Sequence, residues 1–157
     1  MDVIVNGFKS LFENYMLVSA MLSWLVAQII KIFTGLYQSK QMSLTNILFG
    51  TGGMPSSHSA SVLGLTTASA IQYGFGSPYF AICTILSIVV MIDASGVRYE
   101  TGKQAVLLNK ITKEIFSGNP ELMNSGLKEL VGHTPFQVLM GALLGLGVGI
   151  TLSFVML

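Results

Sequence analysis

Residues 50–61 read Gly-Thr-Gly-Gly-Met-Pro-Ser-Ser-His-Ser-Ala-Ser, and an apolar helical stretch follows at once. Glycines let backbone N–H groups approach an anion closely, and a helix N-terminus adds a favourable dipole. These residue types suit a phosphate group, and His58 puts an ionisable proton carrier in the same turn. The only other histidine, His133, stands in Gly132-His133-Thr134-Pro135, also at the head of an apolar stretch. Two cations, Lys31 and Arg98, lie at the ends of two further stretches. The chemistry these residues could perform is the binding and transfer of a phosphoryl group.

The elements that must position them are membrane spans. Of the 157 residues, 52% are hydrophobic and 10% charged, against about 25% charged in a soluble domain. The expected class is therefore an all-α integral membrane protein of one domain, 1–157, with no basic run to suggest nucleic acid. Four apolar stretches, about 15–37, 58–74, 79–97 and 135–157, predict about four transmembrane helices. The second is short and rich in Ala, Ser, Thr and Gly, so it depends on its neighbours. Nothing at the N-terminus reads as a cleaved leader, so the first span is expected to be retained. The long polar stretch before the fourth span predicts interfacial helices at about 100–116 and 120–131, with a helical hairpin over the bundle as the alternative. Gly141, Gly145 and Gly149 form a row of small residues for close helix packing, on this chain or on a second copy. The single cysteine, Cys83, reads as a packing residue.

Alternating topology brings Lys31, Pro55–His58, Arg98 and Gly132–Pro135 to one side of the membrane. Each has a plain alternative: Lys31 could snorkel to the headgroups, and Arg98 could be a topological anchor. Asp93 is different, because a carboxylate within a span is costly and is expected to pair, here with Arg98 or Lys103. The positive-inside rule places the cluster in the cytoplasm. Lys31, Lys40, Arg98, Lys103, Lys110, Lys113 and Lys128 share its side, and Lys9 alone lies opposite.

These blocks resemble the divergent branch of the type 2 phosphatidic acid phosphatase superfamily, which is related to vanadium-dependent haloperoxidases. The carriers are Gln28–Lys31, Thr51–Ala60, Asp93–Arg98 with Gly102–Ala105, and Gly132–Pro135, and the likeness covers nearly the whole chain. It implies an integral protein of the bacterial plasma membrane that hydrolyses a lipid phosphate without metal or cofactor. A non-catalytic lipid-phosphate binder or translocator is the alternative. On this likeness Lys31 is the phosphate-binding lysine, His58 the general acid, Arg98 the third-motif arginine and His133 the nucleophile. Gly53, Ser56, Ser57 and Lys103 join the phosphate-binding set. The chain departs from the superfamily in three places. Gln38-Ser39 replaces Arg-Pro, with Lys40 as a possible substitute, and 34 residues rather than five separate Arg98 from His133. Gln137 stands where the final aspartate belongs, so Asp93 or Glu100 is a candidate replacement carboxylate. The implied partners are membrane lipids and a phosphorylated lipid substrate; the superfamily has six spans, so four imply a smaller bundle or a homodimer.

Overall fold

The computed structural model describes residues 2–37, 53–115 and 132–157. Gln38-Ser39, Lys40, Gly50–Gly52, Lys128 and the helix expected at 120–131 lie outside the described residues. The elements in chain order are α1 (Asp2–Glu13), α2 (Tyr15–Tyr37), α3 (Ser57–Tyr73), α4 (Pro78–Ile92), a π turn (Asp93–Val97), α5 (Arg98–Ile115) and α6 (Pro135–Met156). The protein is all-α among the described residues. Three helices are long and apolar enough to cross a membrane: Tyr15–Thr34, the continuous Pro78–Ile115 and Pro135–Met156.

Helix α3 runs through the middle of the bundle, packed against α2, α4 and α6. That position explains its composition. At 17 residues it rises about 26 Å, close to a hydrocarbon core of about 30 Å, yet its surface faces protein rather than lipid. Its buried residues are accordingly small: Ser57, Ser59, Ala60, Gly64, Thr66, Ala68 and Ser69.

The interior is held by close approach and hydrogen bonds more than by large apolar side chains. Ser19 Oγ donates to the Gly64 carbonyl at 2.9 Å, and Tyr15 Oη to the Gly149 carbonyl at 2.6 Å. Thr66 Oγ1 and Ser87 Oγ lie 2.7 Å apart between α3 and α4. Large apolar residues such as Phe33, Ile82, Ile85, Leu139 and Phe154 point outward. Small residues inside and apolar ones outside is the arrangement a lipid solvent favours.

The glycine row of α6 is used within the chain. A Cβ at Gly141 would strike the Ser56 carbonyl, one at Gly145 the Ala60 carbonyl, and one at Gly149 the Thr67 side chain. The row faces α3, so the tight packing it supports lies inside this subunit.

Two elements differ from the sequence expectation. Helix α1, which no apolar stretch announced, precedes the first span. Helix α5 continues α4 through the π turn, where the sequence suggested a separate interfacial helix. At 38 residues the continuous helix is about 57 Å long, far more than a bilayer core needs, and its polar α5 half is the part that exceeds the span.

Candidate functional site

Four element ends meet at one end of the bundle: the last turns of α2, the first turn of α3, the π turn and the loop entering α6. Each end has a local cause. Ser56 caps α3, its Oγ accepting from the Ser59 backbone N–H at 3.4 Å and from Ser59 Oγ at 3.0 Å. Thr134 and Gln137 form a reciprocal capping box on α6, with Pro135 at its first position. Gly53 takes a left-handed φ of 81°, a conformation that glycine adopts without strain, and so brings its backbone against the stem of Lys31.

Backbone hydrogen bonds then fasten the two histidine loops. The His133 N–H donates to the Ala94 carbonyl of the π turn at 3.1 Å, and the Ser56 N–H donates to the Gln137 carbonyl at 3.0 Å. Gly132 lies directly on the chain at Arg98 and Tyr99, where any Cβ would collide with backbone atoms. Gly132 is thus a structural member of the site beyond the residues expected from sequence. Its adjacency to His133 was the available signal.

A cavity of about 220 Å³ opens here, lined by His58, Val89, Val90, Asp93, Ala94, Arg98, Gly132 and His133. The rings of His58 and His133 are 6.3 Å apart between centroids. His133 is 3% exposed, while His58 lies open at the mouth. His133 Nδ1 faces Gln137 Oε1 at 3.4 Å, and Nε2 is buried with no hydrogen-bond partner among the described residues. Gln137 Oε1 also accepts the Thr134 backbone N–H at 3.0 Å, so one oxygen serves both the helix cap and the imidazole. Burial, and then the positive charge of Lys31, push the His133 pKa down to about 4, although the contact with Gln137 pulls the other way. At neutral pH the ring is therefore uncharged.

The cations sit at two depths. Lys31, buried in the last turns of α2, donates from Nζ to Ser57 Oγ at 3.1 Å. Arg98 Nε donates to Asp93 Oδ2 at 2.6 Å, and this pair is partly open to the surroundings. The structure thus brings together Lys31, Gly53, Ser57, His58, Asp93, Arg98, His133 and Gln137. It does not bring Lys103 to them: its Nζ is held by Glu100 at 2.9 Å and lies 4.3 Å from the Tyr99 ring centroid, outside the cavity lining. Ser56 is fully buried and engaged in the α3 cap. The carboxylate of Asp93 meets Arg98, and the polar group at His133 Nδ1 is the Gln137 amide. Among the described residues no group of three or more His, Cys, Asp or Glu side chains gathers to hold a metal ion.

The motif blocks that build this cavity lie within a longer match. The model of the Divergent PAP2 family fits residues 12–148. The chain belongs to that family. It is also similar to the uncharacterized membrane protein YuiD of Bacillus subtilis (strain 168), with 34% identity over 154 residues, covering 92% of this chain and 97% of the relative. No solved structure matches. For this Divergent PAP2 protein the match takes in α2, α3, α4, the π turn, α5 and most of α6, and so includes every element end at the cavity.

Proposed function

We propose that this protein is a lipid-phosphate phosphatase of the membrane that works through a phosphohistidine on His133, with its site on the cytoplasmic face. The observation that carries the reading is the arrangement around the His133 ring: Nδ1 faces Gln137, Nε2 is buried with no hydrogen-bond partner among the described residues, and His133 lines a cavity together with His58 and Arg98. With Nδ1 protonated and its N–H donating a hydrogen bond to the Gln137 carbonyl oxygen, the Nε2 lone pair is left to attack phosphorus, and the proton stays on Nδ1 of the phosphohistidine that forms. His58 protonates the departing lipid alkoxide, and water then breaks the N–P bond to release phosphate, with His58 as the base. Lys31, Arg98, Ser57 and the α3 N-terminus offset the charge on the equatorial oxygens, where most of the rate gain in phosphoryl transfer arises.

Geometry adds a requirement. A nucleophile lies roughly 3 Å from the atom it attacks, and an acid lies about 3 Å from the oxygen it protonates. Rings 6.3 Å apart between centroids leave too little room for both in line. His58, the exposed member, therefore turns outward as substrate enters. The charge distribution supports a cytoplasmic site: Lys31, Arg98, Lys103, Lys110 and Lys113 lie on the site's side of the bundle, and Lys9 lies in α1 at the other end of α2.

One observation favours a second reading, a lipid-phosphate binder or translocator with little turnover. The group at His133 Nδ1 is an amide, which orients the ring but does not neutralise an imidazolium. Replacing the carboxylate by an amide at that position costs about 10⁴ in rate in the serine-protease triad, where the histidine is left in the wrong tautomer.

The test is phosphate release by the purified protein in liposomes of phosphatidylglycerophosphate, phosphatidic acid or polyprenyl pyrophosphate. Release from one of these that disappears in His133→Ala supports the phosphatase. Binding of the lipid without release, unchanged in His133→Ala and lost in Arg98→Ala, supports the binder.

A further inference from the structure

Asp93 and Arg98 are five residues apart in a continuous helix. In an α-helix, with 3.6 residues per turn, such a pair is about 140° apart around the axis and does not meet. Here the segment between them is a π turn, in which the Arg98 backbone N–H bonds to the Asp93 carbonyl. This i→i+5 closure stacks the two side chains on one face, and π turns inside α-helices often mark functional sites. The same turn supplies the Ala94 carbonyl that holds His133.

The way the pair meets is specific. Asp93 Oδ2 takes the Nε–H of Arg98 at 2.6 Å, and this is the contact between them. A guanidinium is a planar fork of five donors. Held at Nε, it has two further terminal nitrogens with which to meet an anion, and both residues line the cavity containing the histidines. With side chains 51% and 40% exposed, the pair contributes little to holding the fold. An acidic side chain in a site built for an anion therefore needs a purpose other than stability.

We propose that Asp93 is a positioning residue for Arg98: the carboxylate accepts from Nε across the π turn and aims the terminal nitrogens into the cavity, where they donate to two phosphate oxygens. This rests on the phosphatase reading for the identity of the anion, and it assigns Asp93 a task separate from the one a carboxylate beside His133 would have. The opposite possibility is that Asp93 competes with the phosphate for Arg98. The two differ in sign.

The experiment measures binding of inorganic orthovanadate and orthophosphate to the full-length protein in detergent micelles, by calorimetry. Asp93→Ala is expected to weaken binding roughly tenfold, the low end of what loss of an outer partner costs at metal sites. Asp93→Asn keeps an oxygen acceptor for Nε–H and is expected to recover most of the affinity. Adding Asp93→Ala to Arg98→Ala should change nothing further, because the residue acts through the arginine. Tighter binding in Asp93→Ala, or a full loss in the double variant beyond that of Arg98→Ala, would overturn the proposal. Should Asp93→Ala fail to fold, Asp93→Ser, whose hydroxyl is too short to hold Nε, reads the same coupling with Arg98→Ala. Vanadate binding that survives both Arg98→Ala and His133→Ala contradicts the phosphate site itself, whatever Asp93 does.

Discussion

Gln137 sets both the geometry and the speed expected of His133. Its side-chain oxygen closes the α6 capping box and faces His133 Nδ1, so a replacement must retain reach as well as polarity. Glutamate satisfies the box and adds the missing charge; aspartate is one methylene shorter. Gln137→Glu is expected to raise phosphate release at least about tenfold, a part of the ~10⁴ that separates a carboxylate from an amide in the serine-protease triad, and Gln137→Asp is expected to gain less. Gln137→Ala removes the N3 half of the capping box, leaving the Thr134 cap in place, together with the orientation of the ring. Initial rates and thermal unfolding of the three variants in one detergent check this. The pH dependence has a definite sign. The folded His133 pKa, about 4, lies below its ordinary 6.5, so the unfolded chain binds more protons between these values. The stability that His133 contributes is present above pH 6.5 and is lost as pH falls through 4. Unfolding temperatures measured from pH 4 to 7 should rise with pH, and the rise should flatten in His133→Asn.

At the scale of elements, the central packing of α3 on α6 depends on three glycines whose neighbours are close. At Gly145 an added Cβ meets the Ala60 carbonyl and the Gly64 nitrogen, both backbone and unable to rotate away. Gly145→Ala is expected to cost about 1–3 kcal/mol, the usual range for overpacking. Gly147, on the same helix, has nothing within 4 Å of its Cβ position, so Gly147→Ala should be neutral or stabilising through helix propensity. Thermal unfolding of the pair separates packing from composition. The spacing of Gly141, Gly145 and Gly149 made close packing legible, and the structure adds which helix they meet. Other features left no comparable trace. A π turn differs from an α-helix by one residue of winding, and Asp-Ala-Ser-Gly-Val has no periodicity to announce it. Helix α1 has too few residues to stand out as a span.

For the whole molecule, membrane class and helical fold were readable because a chain with 10% charge has few other options. The clustering of Lys31, His58, Arg98 and His133 followed from alternating topology alone. Depth was not readable: that His133 is buried while His58 and Arg98 lie at the mouth depends on how far each loop is drawn in, by the Ala94 carbonyl and by Gly132. The displacement of Lys103 was equally hidden, since Glu100 lies within its reach. Orientation is a molecular property with its own test. In a Cys83→Ala background, Lys110→Cys should react with a membrane-impermeant maleimide only after the cytoplasmic face is opened. Leu157→Cys, at the opposite end of α6 from the site, should react in intact cells.

The central claim is that phosphate passes through His133. The direct measurement is to mix the protein with lipid carrying a labelled phosphate, quench rapidly in base, and locate the label by peptide mass spectrometry. A base-stable, acid-labile phosphate is expected on His133, forming before free phosphate appears and absent from His133→Ala. Free phosphate released with no labelled histidine at any time point, or with the label on His58, would contradict it.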